Sequence, residues 1–335
     1  MNFITTRTEA LKELEHFIEK KIFNYSTQRN FDYGPHDRKN ISCLSPYITH
    51  RLITEFETTK IVLSKRSYQK VEKFVQEIFW RIYWKGWLEL RPKVWSDFLE
   101  DLKDIKEDDK YLNAINAKTD LVCFNDWVQE LKNYNYLHNH TRMLFASIWI
   151  FTLGLPWQKG AEFFMKHLLD GDAASNTLSW RWVAGIQTKG KNYIAQNWNI
   201  RKFSNNKYKD MILNENPKPV IDHREYDILP LDIKESDKKL ENLIIFDNET
   251  NFKSSRLDKY KKIYCILLTF EERKVGLSNK VLEFKKKLIK NQIKQSNIDI
   301  EFIDGKTFID ISNSVKDFDV IYPSVGENMS FIKRI

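Results

Sequence analysis

The chain runs to 335 residues, long enough for one large domain or a large one with a smaller companion, and with ample apolar surface to bury. Its 54 Lys and Arg against 46 Asp and Glu leave a net charge of +8, which favours a polyanionic partner such as nucleic acid without naming one. Cys43, Cys123 and Cys265 lie far apart, with no CxxC pair and no His at zinc spacing, so neither a metal site nor an iron–sulfur cluster is expected. They read as reduced thiols of a cytoplasmic protein. The N-terminus, with Arg7, Glu9, Lys12 and Glu13, has no apolar signal core. The uncharged run from Met143 to Trp157 is too short to span a bilayer, and no membrane partner is expected.

Residues 1 to about 205 read as successive helices, with aromatic and apolar residues three and four apart. Ser45-Pro46 predicts a helix start, a capping Ser before Pro at the first helical position. An amphipathic helix from Tyr68 to about Leu88 carries Phe74, Ile78 and a Trp80/Trp84/Leu88 stripe. Asn139 is expected to cap a helix running to Leu153, closed by Gly154 and Pro156; the next, from about Gln158, ends at Leu169-Asp170-Gly171. After Lys209 the texture changes, with Pro217, Pro219 and Pro230 among charged turns. From Leu243 strand-like runs appear (LIIFDNET, KIYCILLTF, IDIEFID, FDVIYPSV), with a basic helix from Lys280 to Lys294 between the second and third. That unit has no GxGxxG or Walker-type loop and is assigned no nucleotide. The expected class is therefore mainly α: a helical domain over 1–210, a linker over 211–240 and a small α/β domain over 241–335 with a partly parallel sheet.

Within the helical part, several constellations carry chemistry. Ser42 and Ser45 stand at a helix start, where free N–H groups and the dipole can hold a phosphate, although an ordinary capped helix has the same features. Glu77 and Arg81 lie one turn apart and are expected to pair across it, beside Trp80. Arg142 with Asp170 would make a buried ion pair, with Asp172 and Asn176 close behind; any one of these alone would be read as a cap or a structural bridge. Trp157, Trp180 and Trp182, each taken singly, would be core aromatics. Arg29 and Arg181 stand out from the basic residues as candidates for a phosphate-binding rim.

Taken in order, YxxxRxF, SxLSP, ExxWRxY, NxxRM, DGDxxxN and WxW resemble the flavin-binding half of DNA photolyases and cryptochromes over roughly residues 20 to 205. The resemblance implies an all-helical domain carrying FAD, active in its reduced anionic form. It implies that Tyr25, Ser42, Leu44, Ser45, Phe74, Arg81, Asn139, Arg142, Asp170, Asp172 and Asn176 hold the cofactor. Glu77, Trp80, Asn139, Met143 and Trp182 would orient the lesion of UV-damaged DNA, and Arg29 and Arg181 would contact the strand. Trp180 and Trp157 match the inner members of an electron-transfer chain, with Trp95 and Trp149 as candidates for the outer one. Asn139 and Met143 resemble the cyclobutane-dimer type, where (6-4) enzymes carry His. Two departures stand out: Ile41 replaces a usual Thr, and His140 a common Arg. Full-length relatives begin with an α/β antenna domain, whereas this chain starts almost at the flavin domain, so no antenna chromophore is expected. The implied activity is a monomeric, light-driven lyase that reopens pyrimidine dimers, with an open surface that would suit single-stranded DNA. The alternatives are a cryptochrome-like blue-light photoreceptor without repair activity, repair of the (6-4) photoproduct, and a cofactor-free helical DNA-binding protein.

Overall fold

The computed structural model describes residues 3–231, 233, 240–252, 254–315 and 317–335. Among the described residues twelve α-helices precede the first strand: α1 (Arg7–Lys20), α2 (Ile22–Gln28), α3 (Ser45–Thr49), α4 (Glu55–Lys65), α5 (Tyr68–Glu89) and α6 (Lys93–Asp104), then α7 (Asp109–Ile115), α8 (Val122–Tyr134), α9 (Asn139–Ser147), α10 (Trp157–His167), α11 (Ala173–Val183) and α12 (Asn197–Phe203). The longest, α5, buries Val71, Phe74, Val75, Ile78 and Leu88 at helical spacing. Helix α9 passes into a π turn over Ile148–Thr152 before Gly154, at φ +62°, ends the run. Asn139 is the first residue of α9 and not its cap: His138 precedes it and its ring accepts from the His140 backbone N–H. Ser45 likewise begins α3 and makes no capping bond; its hydroxyl is used elsewhere.

The C-terminal part forms a four-stranded parallel sheet, in the order β3-β2-β1-β4, from β1 (Asn242–Phe246), β2 (Lys262–Leu267), β3 (Glu301–Asp304) and β4 (Asp319–Val320). Strand alternation sends Leu243, Ile245, Ile263, Cys265 and Leu267 to one face and Ile244, Phe246, Tyr264 and Ile266 to the other. After the short helix α13 (Ser254–Leu257), the first face meets α14 (Asn279–Ser296) and continues into one core with Leu14, Phe17, Leu52, Phe74 and Ile78 of the N-terminal helices. The second is closed by α15 (Gly305–Ser312) and α16 (Glu327–Ile332), through Phe308 and Phe331. The sheet therefore shares its interior with the helical region.

The segment after α12 has little regular structure but is tied down. Asn214 donates to the Phe151 carbonyl, Asp222 pairs with Arg181 and Arg224, and the Leu229 N–H donates to the Leu90 carbonyl. Of the proposed linker, residues 232 and 234–239 lie outside the described residues. Among the described residues no helix is long and apolar enough to cross a membrane.

A buried polar cluster fastens the loop between α2 and α3. Arg38 lies between Asp32 and Glu130 of α8, and Thr141 donates to Asp32. One guanidinium serves two carboxylates. Burial pushes the Glu130 carboxyl up to about 7 against the pull of Arg38, while Arg38 holds Asp32 below its ordinary value despite burial. A carboxyl with a raised folded pKa keeps its proton longer in the folded than in the unfolded chain. Stability from this site is therefore present below the ordinary Glu value and declines as pH rises through about 7. Glu130→Gln should flatten that decline, by on the order of 2–3 kcal/mol between pH 4.5 and 7.5. Urea melts across the interval test this, and parallel pH profiles for wild type and variant would count against it.

Candidate flavin site

Three elements converge on Asp170, which follows α10 in the turn leading to α11. Its carboxylate, only 2% exposed, receives Arg142 Nη2 of α9 at 2.9 Å and the Ser45 hydroxyl of α3. Burial alone would raise its pKa, but Arg142, Ser45 and Arg81 outweigh that and hold the group below its ordinary value. Arg142 is oriented twice more: Nε donates to the Leu137 carbonyl at 2.9 Å, and the guanidinium lies over the Tyr136 ring at 5.1 Å.

Asp172 caps α11, accepting from the Ser175 N–H at 2.8 Å, while its second oxygen lies 3.5 Å from Arg81 Nη2. Arg81 also donates to Thr49 and approaches Glu55 at 3.9 Å. The i,i+4 pairing of Glu77 with Arg81 is not formed. Glu77 meets Arg29 at 3.6 Å, and Arg81 turns inward to the buried Glu55 and the half-buried Asp172. Tertiary acceptors win over the neighbour on the helix because burial strengthens their pull. Asn176 of α11 donates to the Ala161 carbonyl at 2.8 Å, tying α11 to α10.

Four buried polar atoms around these ion pairs have no hydrogen-bond partner among the described residues: Asp170 Oδ1, Ser175 Oγ, and Asp172 Oδ2 and Arg81 Nε, which are engaged only in the long ion pairs at 3.5 and 3.9 Å. Such atoms are costly when dry, and a ring system rich in carbonyls and N–H groups would satisfy them. The donor set therefore suits an isoalloxazine: a guanidinium, carboxylates and an amide on facing helices. Nearby, Tyr25 packs edge-on against Phe74 at 5.3 Å and Leu44 is buried, while the Ser42 hydroxyl accepts from the Leu44 N–H. Thr49, Glu55 and Tyr136 belong to the site but sit in no recognisable local motif. Among the described residues no cluster of three or more His, Cys, Asp or Glu could hold a metal.

On the outer side of α5, Trp80 is 50% exposed and clusters with Tyr83 and Trp84 at 5.3 and 5.7 Å. The Trp80/Trp84/Leu88 stripe is thus a core stripe only at its Leu88 end. Burial raises the Glu77 carboxyl, partly offset by Arg29. Asn139 is exposed and Met143 half-buried on α9; Trp182 stacks on Tyr193 at 5.8 Å. Arg181 does not reach the rim. It is 4% exposed, pairs with Asp222 at 3.1 Å and packs against Trp157 and Tyr226, so its charge is spent inside. Trp180 is enclosed by Phe164, Trp149 and Phe145 at 5.1, 6.1 and 6.4 Å, and Trp149 meets Tyr111 at 5.9 Å. Trp157 stacks instead on Phe98 at 5.7 Å, which leads to Trp95 at 5.3 Å.

Known proteins share this arrangement. The fold superposes on a crystal structure of a Synechocystis cryptochrome with a TM-score of 0.53 at 20% identity, covering 61% of this chain and 44% of that one. A bacterial class III photolyase from Agrobacterium tumefaciens superposes with a TM-score of 0.51 at 26% identity, over 60% and 43% of the two chains. Both are photolyase/cryptochrome folds, and residues 74–197 match the family model for the FAD binding domain of DNA photolyase. Over these residues the helical region matches the FAD-binding domain of the photolyase/cryptochrome superfamily. The deoxyribodipyrimidine photo-lyase of Agrobacterium fabrum is 31% identical over 186 residues, 53% of this chain and 38% of that protein. The matched region spans less than half the length of these relatives.

Proposed function

We propose that this chain is a light-driven DNA repair flavoprotein that reopens cyclobutane pyrimidine dimers. The observation that carries the reading is the Arg142–Asp170–Ser45 cluster, whose Asp170 Oδ1 is buried without a hydrogen-bond partner among the described residues, with the exposed Trp80 next to Arg81 on α5. FAD bound there would, in its photoexcited reduced form, supply one electron to the dimer and take it back after ring opening.

The protein's own residues set the conditions. Arg142 places a fixed positive charge beside the site, and Asp170, held ionised, keeps the guanidinium in place. Asp172 and Asn176 would fix the polar edge of the ring, and Tyr25, Phe74, Ser42 and Leu44 the remainder of the cofactor. Trp80 would stack on an extruded base, with Tyr83 and Trp84 extending the platform to neighbouring bases, a geometry suited to single-stranded DNA. Glu77, with its raised carboxyl, can give a proton or hydrogen bond to a pyrimidine edge; Asn139, Met143 and Trp182 would shape the pocket around it. Arg29 is the candidate for strand contact. Trp180 with Trp149 and Tyr111 makes a contiguous aromatic path from the interior, and Trp157 with Phe98 and Trp95 makes a second.

The test is direct. The purified protein, supplied with FAD, should show a flavin absorption spectrum. Once reduced and illuminated, it should restore thymines in an oligonucleotide carrying one cyclobutane dimer. Glu77→Ala should lower the repair yield by roughly 10-fold or more, within the range of a lost acid–base contact. Bound flavin without repair of either single- or double-stranded substrate would favour a photoreceptor or another lesion. A protein that binds no FAD would remove the basis of the reading.

A further inference from the structure

The carboxyl edge of the parallel sheet is pressed against the elements that build the flavin site. We propose that this edge is a positioning device: the loop after β1 fixes His50, and His50 fixes the Leu169–Asp170 backbone that carries Arg142's carboxylate partner. The inference rests on the flavin-site reading for its effect on the cofactor, but its mechanical half concerns the protein alone.

His50 follows α3 and is fully buried. Its Nδ1 lies 3.2 Å from the Asp247 carbonyl at the end of β1, and Nε2 lies 3.0 Å from the Leu169 carbonyl. One imidazole thus spans the sheet edge and the residue before Asp170, positions 197 and 119 residues away in sequence. The groups facing it are Asp247, Lys285 and the Phe284 ring. Burial, reinforced by Lys285, pushes its pKa down to about 3, so the neutral ring carries one N–H and hydrogen-bonds only one of the two carbonyls. With that N–H on Nε2, the shorter contact, it holds Leu169, and the link to the sheet runs through the Thr250 bonds to the His50 carbonyl.

The sheet side of the bridge is rigid. The Asp247 carboxylate takes Lys285 Nζ at 2.6 Å and Asn328 Nδ2 at 2.9 Å, which locks the strand end to α14 and α16. Three residues on, Thr250 gives both its N–H and its hydroxyl to the His50 carbonyl, at 3.0 and 2.8 Å, and Glu249 pairs with Arg51 at 2.8 Å. The site side has matching ties: Thr49 donates to the Asp170 carbonyl at 3.4 Å, and Ser45 of the same short helix to its carboxylate. Two further contacts reach the same elements. Gly326 abuts Ala173, the first residue of α11, so closely that an added Cβ would come within 3.0 Å of the Ala173 Cβ. Glu89, at the end of the helix bearing Glu77 and Arg81, accepts from Tyr322 and from the Val325 N–H at 2.5 and 2.7 Å. Sheet, α3, α5 and the acid loop are thereby tied to one another.

The experiment uses the full chain with His50→Leu, which cuts both ring contacts, and His50→Gln, which restores a donor. In the apoprotein, amide hydrogen exchange at Leu169 and Gly171 should quicken about 10-fold in His50→Leu and return toward wild type in His50→Gln, as the loss of one buried hydrogen bond predicts. With FAD added, its dissociation constant should rise about 10-fold in the Leu variant, and the midpoint potential of the bound flavin should shift. Phe284→Leu, which loosens packing against His50 without touching its hydrogen bonds, should lower Tm but leave the potential unchanged. If His50→Leu fails to fold, Thr250→Val gives the same readouts in weaker form. Unchanged exchange at Leu169 and Gly171 in a folded variant overturns the proposal, whether or not FAD binds. Altered exchange in a chain that binds no FAD would instead retain the mechanical link and sink the flavin-site reading.

Discussion

An Arg142→Leu variant is expected to emerge colourless and less stable by about 3–5 kcal/mol, a large part of a domain's usual margin. The cost is not the loss of an attractive pair as such. Asp170 is 2% exposed and would keep only the Ser45 hydroxyl and the more distant charge of Arg81, so an ionised carboxylate would stay buried without its direct counter-charge. The pH dependence should then reverse. In the wild type the depressed Asp170 pKa contributes stability that is present above the ordinary Asp value and lost as pH falls through the folded one. Without Arg142, burial dominates and raises the pKa, so the variant should gain stability on mild acidification while the wild type does not. The double variant Arg142→Leu/Asp170→Leu should recover much of the loss, since two apolar groups replace a charge pair, yet still bind no FAD. Thermal melts at pH 5.5 and 7.5, with flavin absorbance after desalting, measure all of this. A single variant as stable as wild type would mean that water or another cation serves Asp170.

Most of that site was legible because its residues fall in compact motifs whose spacing survives in one sequence. The helix from Tyr68 to about Leu88 ends at Glu89, and Arg142 does meet Asp170. What escaped was whatever depends on partners far along the chain. Glu77 and Arg81 stand at ideal local spacing, yet Arg29 and Asp172 claim them, because a more deeply buried acid outbids a neighbour at a half-solvated helix face. Arg181 looked like a rim residue until Asp222, from a segment with no regular structure, supplied a partner inside. Asn139 has the better capping propensity, but His138, one residue earlier, is the buried group whose ring nitrogen faces the free N–H. His50 carried no signal at all: a lone His after a short helix says nothing about a strand that lies about two hundred residues away. The sheet itself was readable from its apolar runs, whereas the face it turns to the helices was not, since both faces are equally apolar.

Gly160→Ala tests the closest approach to any glycine of the chain. Gly160 lies in α10, where alanine should favour the helix by up to about 1 kcal/mol. That gain cannot be realised: an added Cβ would overlap the Trp180 indole and approach Trp149 Nε1 to 3.0 Å. Trp180 has no room to yield, being 2% exposed and boxed by Phe145, Phe164 and Trp149. Either α10 must withdraw from α11 or the indole must leave its rotamer, and overpacking of this kind costs about 1–3 kcal/mol or more. Withdrawal would also stretch the Asn176–Ala161 hydrogen bond and so displace an amide expected at the flavin. The variant should therefore melt several degrees lower, and the rate at which light reduces its bound flavin should fall, because donor and acceptor no longer hold their spacing. Trp180→Phe separates the two effects: it opens space beside Gly160, so adding Gly160→Ala to it should cost little further stability. If the two substitutions simply add, the collision at Gly160 is not what holds α10 and α11 apart, and the path through Trp180 has slack that the packing does not suggest.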